Sequence, residues 1–258
     1  MAGTYVYCLV AAARRPRIKS DIAGPAGLGP VRLVDLAPGE WLAVSDAPLS
    51  RFGEQVINTR LSDLDWVSRA AVRHEAVIES FIAAPAVLPM KLFTIFTDDG
   101  RAVAHIRADR RRVDAILRRV RHHQEWGVRV VLDRVAGGRT RRDGAQGTRA
   151  RAAGASGRGY LHQKKVQRDA ATELARRAQD TVADLYDRLA AGARDARRRT
   201  AVDSQVQNGP LLLDAAFLVP ASRARRFRAG AAREARALAR SGYQVTLTGP
   251  WPPYTFIE

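Results

Sequence analysis

LLLDAAFLVP, residues 211–220, settles how the second half of this chain is read. It is a continuous apolar run of strand length, so it reads as a buried strand and not as one face of a helix. Upstream, Val166, Ala170, Leu174, Ala178, Val182, Leu185 and Leu189 recur at spacings of three and four and mark a long helix over 161–199. Before that helix, EWGVRVVLD (125–133) has strand composition. Downstream, Ser222 is a candidate cap for a helix running to about 240, and GYQVTLTG (242–249) reads as a final strand. The order is β-α-β-α-β. Two helices covering one face of a small sheet give a split-βαβ, ferredoxin-like layer.

The first half extends the same logic. TYVYCLV (4–10) is aromatic and β-rich, and VRLVDL (31–36) and EWLAVSD (40–46) flank the turn pair Pro38-Gly39, which predicts a hairpin. Ser62, Asp63 and Asp65 open a helix whose stripe is Leu64, Val67, Ala71, His74, Ile78 and Phe81, ending near Ala84-Pro85. AVLPMKLFTIFTD (86–98) returns to strand character, and 108–123 is helical, with Val113, Ile116, Leu117 and Val120 on one stripe. The expected fold class is α+β with two domains, each a small antiparallel or mixed sheet with helices on one face. The N-terminal domain spans 1–123. The C-terminal, ferredoxin-like domain spans 124–258, with a mobile basic loop at about 134–159 and an aromatic, proline-rich tail at 249–258.

Composition narrows the function classes. Hydrophobic residues make up 46% of the 258 and charged residues 27%, a globular balance. The lone Cys8 leaves no intramolecular disulfide and no thiolate set for a metal, as in a reducing cytoplasm. The apolar start precedes its positive charges, the reverse of a secretory leader, and no run approaches a membrane span. A cytoplasmic location is expected. The net charge of +17 is mostly arginine beside abundant alanine, a balance that coding bias alone produces. It peaks between 134 and 168, where ten Lys/Arg face the single Asp143. This Gly-rich stretch buries too little to order itself, so it is either a solvated linker or an arm for RNA or another anionic surface.

A search for reactive constellations yields none. His74-Glu75 opens like a zinc-protease helix, but the second histidine of H-E-x-x-H is replaced by Ile78. His74 instead falls on an apolar stripe, as a hydrogen-bonded core histidine does. His122 and His123 are adjacent and point too far apart to chelate one ion. GPAGLG (24–29) precedes a strand, not a phosphate-binding helix, and GASGRG (154–159) lacks the spacing of a nucleophile elbow. Asp98-Asp99 abut a glycine and read as a turn. No catalytic residue, cofactor or metal ligand is assigned, and no enzymatic activity is expected.

The tail points elsewhere. TGPWPPYTF (248–256) comes with YVYCLV at the start, His74-Glu75 on a helix before LPMKLFTIF (88–96), then EWGVRV (125–130) and LDAAFLVP (213–220). Their order across the chain resembles the GvpL/GvpF family of gas vesicle proteins, with its Y-x-Y strand, H-E helix, L-P-x-R-F-G-T strand, E-x-G-V-x-V strand and G-P-W-P-P-Y-x-F ending. Lys91, Leu92 and Phe93 stand where that pattern has Arg, Phe and Gly, which puts in question any close backbone approach at the glycine. The resemblance implies two α+β domains and a non-enzymatic accessory role in gas vesicle formation. The partners it implies are the hydrophobic shell protein GvpA and other accessory proteins, met in the cytoplasm at the vesicle.

On this reading Trp251, Pro252, Pro253, Tyr254 and Phe256, with Lys91 and Phe93, are the candidate partner-binding or interdomain residues. The prolines impose an extended path from which the rings either close the chain's own core between the domains or lie on a partner. The alternative function is nucleic-acid binding by ferredoxin-like domains, with arginines neutralising phosphates. That reading calls for aromatics interleaved on a basic sheet face, and none is identified.

Overall fold

The computed structural model describes residues 2–132, 157–199 and 209–257. The chain divides into two compact units, one comprising residues up to Glu125 together with the segment from Gly249 onward, the other Trp126–Thr248. The fold is α+β, with two small sheets among the described residues.

The first unit is built on β1 (Ala2–Ala11), buried over nearly its whole length. β2 (Arg32–Ala37) and β3 (Glu40–Pro48) form the expected hairpin, with Gly39 at φ 77° behind Pro38, the combination a type II turn requires. Short helices α1 (Leu49–Phe52) and α2 (Glu54–Arg60) lead to α3 (Leu64–Glu79). β4 (Ala86–Pro89) and β5 (Ile95–Phe96) follow, then α4 (Asp99–Ala108) and α5 (Arg110–Val120). The sheet order is β2-β3-β1-β4, with β5 also on β1, and these pairings are antiparallel. Tyr7 is the extra residue of a bulge between Val6 and Cys8. The bulge sets the phase of burial. Tyr5, Tyr7, Cys8 and Val10 join Val77 and Ile78 of α3 in one core, while Val6, Leu9 and Ala11 join Ile106, Val113 and Leu117 of α4 and α5 in another. Helices therefore cover both faces of this sheet.

Three local readings change. The buried face of α3 is Ala70, His74, Val77 and Ile78, whereas Leu64 is 78% exposed. Its cap is Asp63, which accepts the Trp66 N–H at 3.0 Å. Asp98-Asp99, read as a turn, opens α4: Asp98 caps it through the Arg101 N–H at 2.8 Å, and Asp99 receives both arms of the Arg32 fork at 2.7 and 3.0 Å.

The second unit contains most of β6 (His123–Leu132), then α6 (Gly157–Ala190), β7 (Asp195–Arg198), β8 (Leu211–Pro220), α7 (Ala224–Ala239) and most of β9 (Tyr243–Trp251). β7 is an addition to the sequence reading. The long helix stops at Ala190, where the N–H of Gly192 turns back to Leu189 O, and the charged DARR pairs antiparallel with β8 as an edge strand. The order β-α-β-β-α-β with strands β7-β8-β6-β9 is the split-βαβ arrangement. Its core alternates along β6 (Trp126, Val128, Val130) and β8 (Leu213, Ala215, Phe217, Val219) and is covered by Val182 and Leu185 of α6 and Phe227 and Ala231 of α7. α7 is entered through a 3-10 turn at Ala221–Arg223, without a side-chain cap from Ser222. The expected basic loop lies outside the described residues up to position 156.

The tail departs from the expected division. The sequence reading gives it to the C-terminal domain, yet from Gly249 onward it belongs to the first unit, where Tyr254 packs into the α3-side core and Thr255 bonds Glu125.

Candidate functional site

The sequence PWPPYTFI divides into residues that bury and residues that do not. Pro252 and Pro253 are buried, Phe256 is fully buried, and Trp251 remains 37% exposed. Three prolines exclude a helix before Tyr254, after which one 3-10 turn, Tyr254–Phe256, aims alternate side chains inward. Glu125 fastens this turn. Its carboxylate, itself buried, accepts the Thr255 N–H and the Thr255 Oγ1–H, both at 2.7 Å. A carboxylate taking two donors is the strong form of such a clamp. The guanidinium of Arg119 lies 5.9 Å from the centre of the Phe256 ring. Tyr254 packs on the α3-side core and Ile257 on the α4/α5-side core.

Tyr254 and Ile257 form one wall of a cleft of about 780 Å³. Its floor is apolar: Leu88, Met90, Leu92, Phe96, Ile106 and Ile116. Charge is confined to a few rim residues, Glu75 of α3, Lys91, and Asp109 and Arg112 near the start of α5. The Tyr254 hydroxyl is buried and has no hydrogen-bond partner among the described residues. Burial raises its pKa, and the carboxylates of Glu75 and Glu79 add to the effect. The cleft thus combines an apolar floor with a few charged residues at its edge, the composition of a binding groove.

The opposite wall is the turn between β4 and β5. The Thr94 N–H returns to Lys91 O at 3.2 Å, and the N–H groups of Met90 and Val6 bond Tyr7 O and Thr94 O across to β1 at the bulge. Third in this turn stands Phe93, at φ 62°, a slot where glycine carries no steric cost. The family pattern has glycine at this position. The left-handed backbone survives the phenylalanine because two contacts hold it. Its ring stacks on Trp66, centres 4.9 Å apart and planes within 7°, and its N–H donates to Tyr5 Oη at 3.3 Å.

Tyr5 connects the turn to α3. His74 Nε2 lies 3.1 Å from Met90 O, which can only accept, so Nε2 carries the proton; Nδ1, 2.8 Å from Tyr5 Oη, therefore accepts. The chain runs Phe93 N–H to Tyr5 Oη, Tyr5 O–H to His74 Nδ1, and His74 Nε2–H to Met90 O. Burial lowers the His74 pKa and raises that of Tyr5, so both stay neutral. Burial likewise pushes the Cys8 thiol up, away from a reactive thiolate.

Of the sequence candidates, Tyr254 and Lys91 meet at one cleft. Phe93 faces Trp66, while Pro252, Pro253 and Phe256 are anchors and Trp251 stands apart. Glu125 and Tyr5 stand in the quoted E-x-G-V-x-V and Y-x-Y motifs but receive no role from sequence, and Thr255 and Arg119 receive none either. For Glu125 the motif was the usable signal, together with its place as an acid opening an apolar strand in a strongly basic chain.

The chain's sequence matches the family described as gas vesicle synthesis protein GvpL/GvpF over residues 3–258. It is 32% identical over 238 residues to gas vesicle protein L of Streptomyces sp. (strain CB03234), covering 90% of this chain and 86% of that one. Its fold is similar to the crystal structures of gas vesicle protein GvpF from Anabaena sp. PCC7120 (TM-score 0.69, 15% identity, covering 100% of this chain and 99% of that one) and from Microcystis aeruginosa (TM-score 0.62, 15% identity, covering all of both chains). A match running unbroken through the split-βαβ unit and the returning tail, with a relative of this identity, leaves one conclusion: the chain belongs to the GvpL/GvpF family of gas vesicle proteins.

Proposed function

We propose that this gas vesicle accessory protein acts without catalysis, holding subunits of the shell protein GvpA in the cytoplasm at the growing vesicle, with other accessory proteins as further partners. A shell subunit that exposes apolar surface before it polymerises needs a partner offering a matching apolar face. The observation carrying this reading is the cleft between the 90–94 turn and the tail, apolar in its floor and charged only at its rim. Membership of the family supports it, as does the fate of the reactive side chains. His74 is spent on two structural hydrogen bonds, Asp98 caps a helix and Cys8 is buried.

The test is co-expression with the shell protein followed by affinity capture. GvpA should co-purify with the wild-type chain, and Leu92→Glu, which puts a charge on the cleft floor, should abolish capture while the melting temperature stays within a few degrees. Recovery of neither GvpA nor any accessory protein by the wild-type chain would sink the proposal. Undiminished capture by the variant would remove the cleft from it.

A further inference from the structure

The two helices of the second unit treat their arginines differently. On α6, Arg176 and Arg177 pair with Glu173 at 2.9 and 2.8 Å, and Arg176 also reaches Asp180 at 3.0 Å. α7 has one acid, Glu234, and it is bonded to Arg188 of α6 at 3.0 Å. The helix buries Phe227, Ala231 and Leu238. With about 100° per residue, Arg225, Arg226, Arg233, Arg236 and Arg240 all project from the side opposite those three. The five are exposed, and only alanines, Ala229, Ala232 and Ala237, lie between them on that side. The row is about 22 Å long at the helical rise.

Arranging cations this way works against the helix. Arg233 and Arg236, and Arg236 and Arg240, are like charges at the spacings that place side chains next to each other. The first turn has no acid and carries Arg225 and Arg226, against the helix dipole. A solvated helix with no partner is served better by the interleaved acids of α6.

We propose that the outward face of α7 is a docking surface for an acidic segment of another protein, one carrying carboxylates along a helix or an extended strand. Three features of the helix select this occupant. Charge complementarity demands an anion. The guanidinium fork takes a carboxylate through two parallel hydrogen bonds, and the intervening alanines let a second backbone approach closely. A nucleic acid would share the first feature, but its bases would need exposed rings to stack on. Among the described side chains of this unit the rings turn inward: Trp126, Phe217 and Phe227 are buried, and Tyr186 and Tyr243 pack against the same core, while the exposed Trp251 at the end of β9 belongs to the other unit. The face lies on a different unit from the cleft, so the proposal stands whether or not shell subunits bind there.

The experiment uses the full chain and two labelled probes of equal charge, a glutamate-rich peptide of about 15 residues and a single-stranded DNA, titrated at physiological salt. The expected result is peptide binding that weakens about tenfold in the triple variant Arg233→Gln, Arg236→Gln, Arg240→Gln, as the loss of three exposed charge contacts predicts. The three positions are exposed, and an unchanged circular dichroism melt confirms that the variant is folded. Comparing wild type with variant isolates α7 from the basic residues elsewhere in the chain. Peptide affinity unchanged in the variant, or no peptide binding at physiological salt, overturns the proposal. So does DNA binding that is tighter than peptide binding and equally sensitive to the substitutions, which would assign the face to nucleic acid.

Discussion

Two short segments wall the cleft, the tail at 252–257 and the turn at 90–94, and they are held by opposite means. The tail lies in ordinary backbone conformations and is fixed by what it buries: Phe256, two prolines and a doubly occupied carboxylate. The turn carries a residue at positive φ and is fixed by hydrogen bonds and one stacked ring that offset the strain. The first wall should therefore resist small perturbations and collapse when its anchors go. The second should respond to single atoms, and it is the wall whose sequence departs from the family pattern.

The largest effect is expected from deleting residues 250–258. Phe256, the fully buried ring of the tail, contributes roughly 1.5 to 3 kcal/mol, and with the buried prolines, the partly buried Tyr254 and the Glu125 clamp the loss is a large share of the ~5 to 15 kcal/mol that holds a typical domain. The truncated chain should be insoluble or show a much lower melting temperature. If melting is unaffected, the tail is a free arm and the contrast between the walls fails.

Next comes Glu125→Ala, which strands the Thr255 N–H and hydroxyl. A cost of about 2 to 4 kcal/mol in chemical denaturation is expected, with Glu125→Gln recovering part of it. Equal losses for the two variants would mean that packing, not the carboxylate, secures the turn.

The other wall is addressed through His74. In the fold its pKa lies below the ordinary 6.5, so on acidification the unfolded chain takes up a proton that the folded chain refuses. The stability that the neutral imidazole supplies is complete above pH 6.5 and falls as pH drops below it. His74→Gln should flatten this dependence between about pH 7 and 5, before most carboxylates titrate. A wild-type curve that is already flat over that range would show that His74 charges in the fold as freely as in the unfolded chain.

Finer still is a pair at position 93. Phe93→Ala removes the ring and keeps the strain, whereas Phe93→Gly removes both. Glycine should therefore be the more stable of the two by about 1 kcal/mol, the cost of a left-handed L-residue. Equal stability would mean that the positive φ carries no strain. Smallest of all is Trp251→Ala, at a ring more than a third exposed: a change under about 1 kcal/mol is expected, and a large drop would make Trp251 an anchor like Phe256.

Periodicity made most elements legible, because a buried strand such as 211–220 and the stripe Ala178, Val182, Leu185 and Leu189 must repeat at their own spacings. It failed where burial did not govern. β7 is a charged edge strand with no apolar alternation, and α4 is missing from the sequence reading because Asp98-Asp99 beside Gly100 reads as a turn, leaving the next helix to start only at 108. Leu64 was placed in the core because periodicity reports spacing but not where the neighbouring layer ends. At the cleft, Tyr254 and Lys91 were visible as motif residues. Their pairings with other motif residues were not, since Glu125 and Thr255 stand 130 positions apart and Tyr5 and His74 stand 69, distances over which only the fold brings donors to acceptors.

The return of the tail also orders events during synthesis. The first unit is begun by residues up to Glu125 and finished by residues after Thr248, so every residue of the second unit must be translated in between. Until Phe256 and Thr255 emerge, Glu125 has neither of its two donors from the tail. A nascent chain halted within the second unit would present the first unit unfinished, with its cleft lacking one wall. Ribosome-bound chains of increasing length should then gain protease resistance in the first unit in a late step, as the tail leaves the exit tunnel, and the competence to hold a partner would arrive with it.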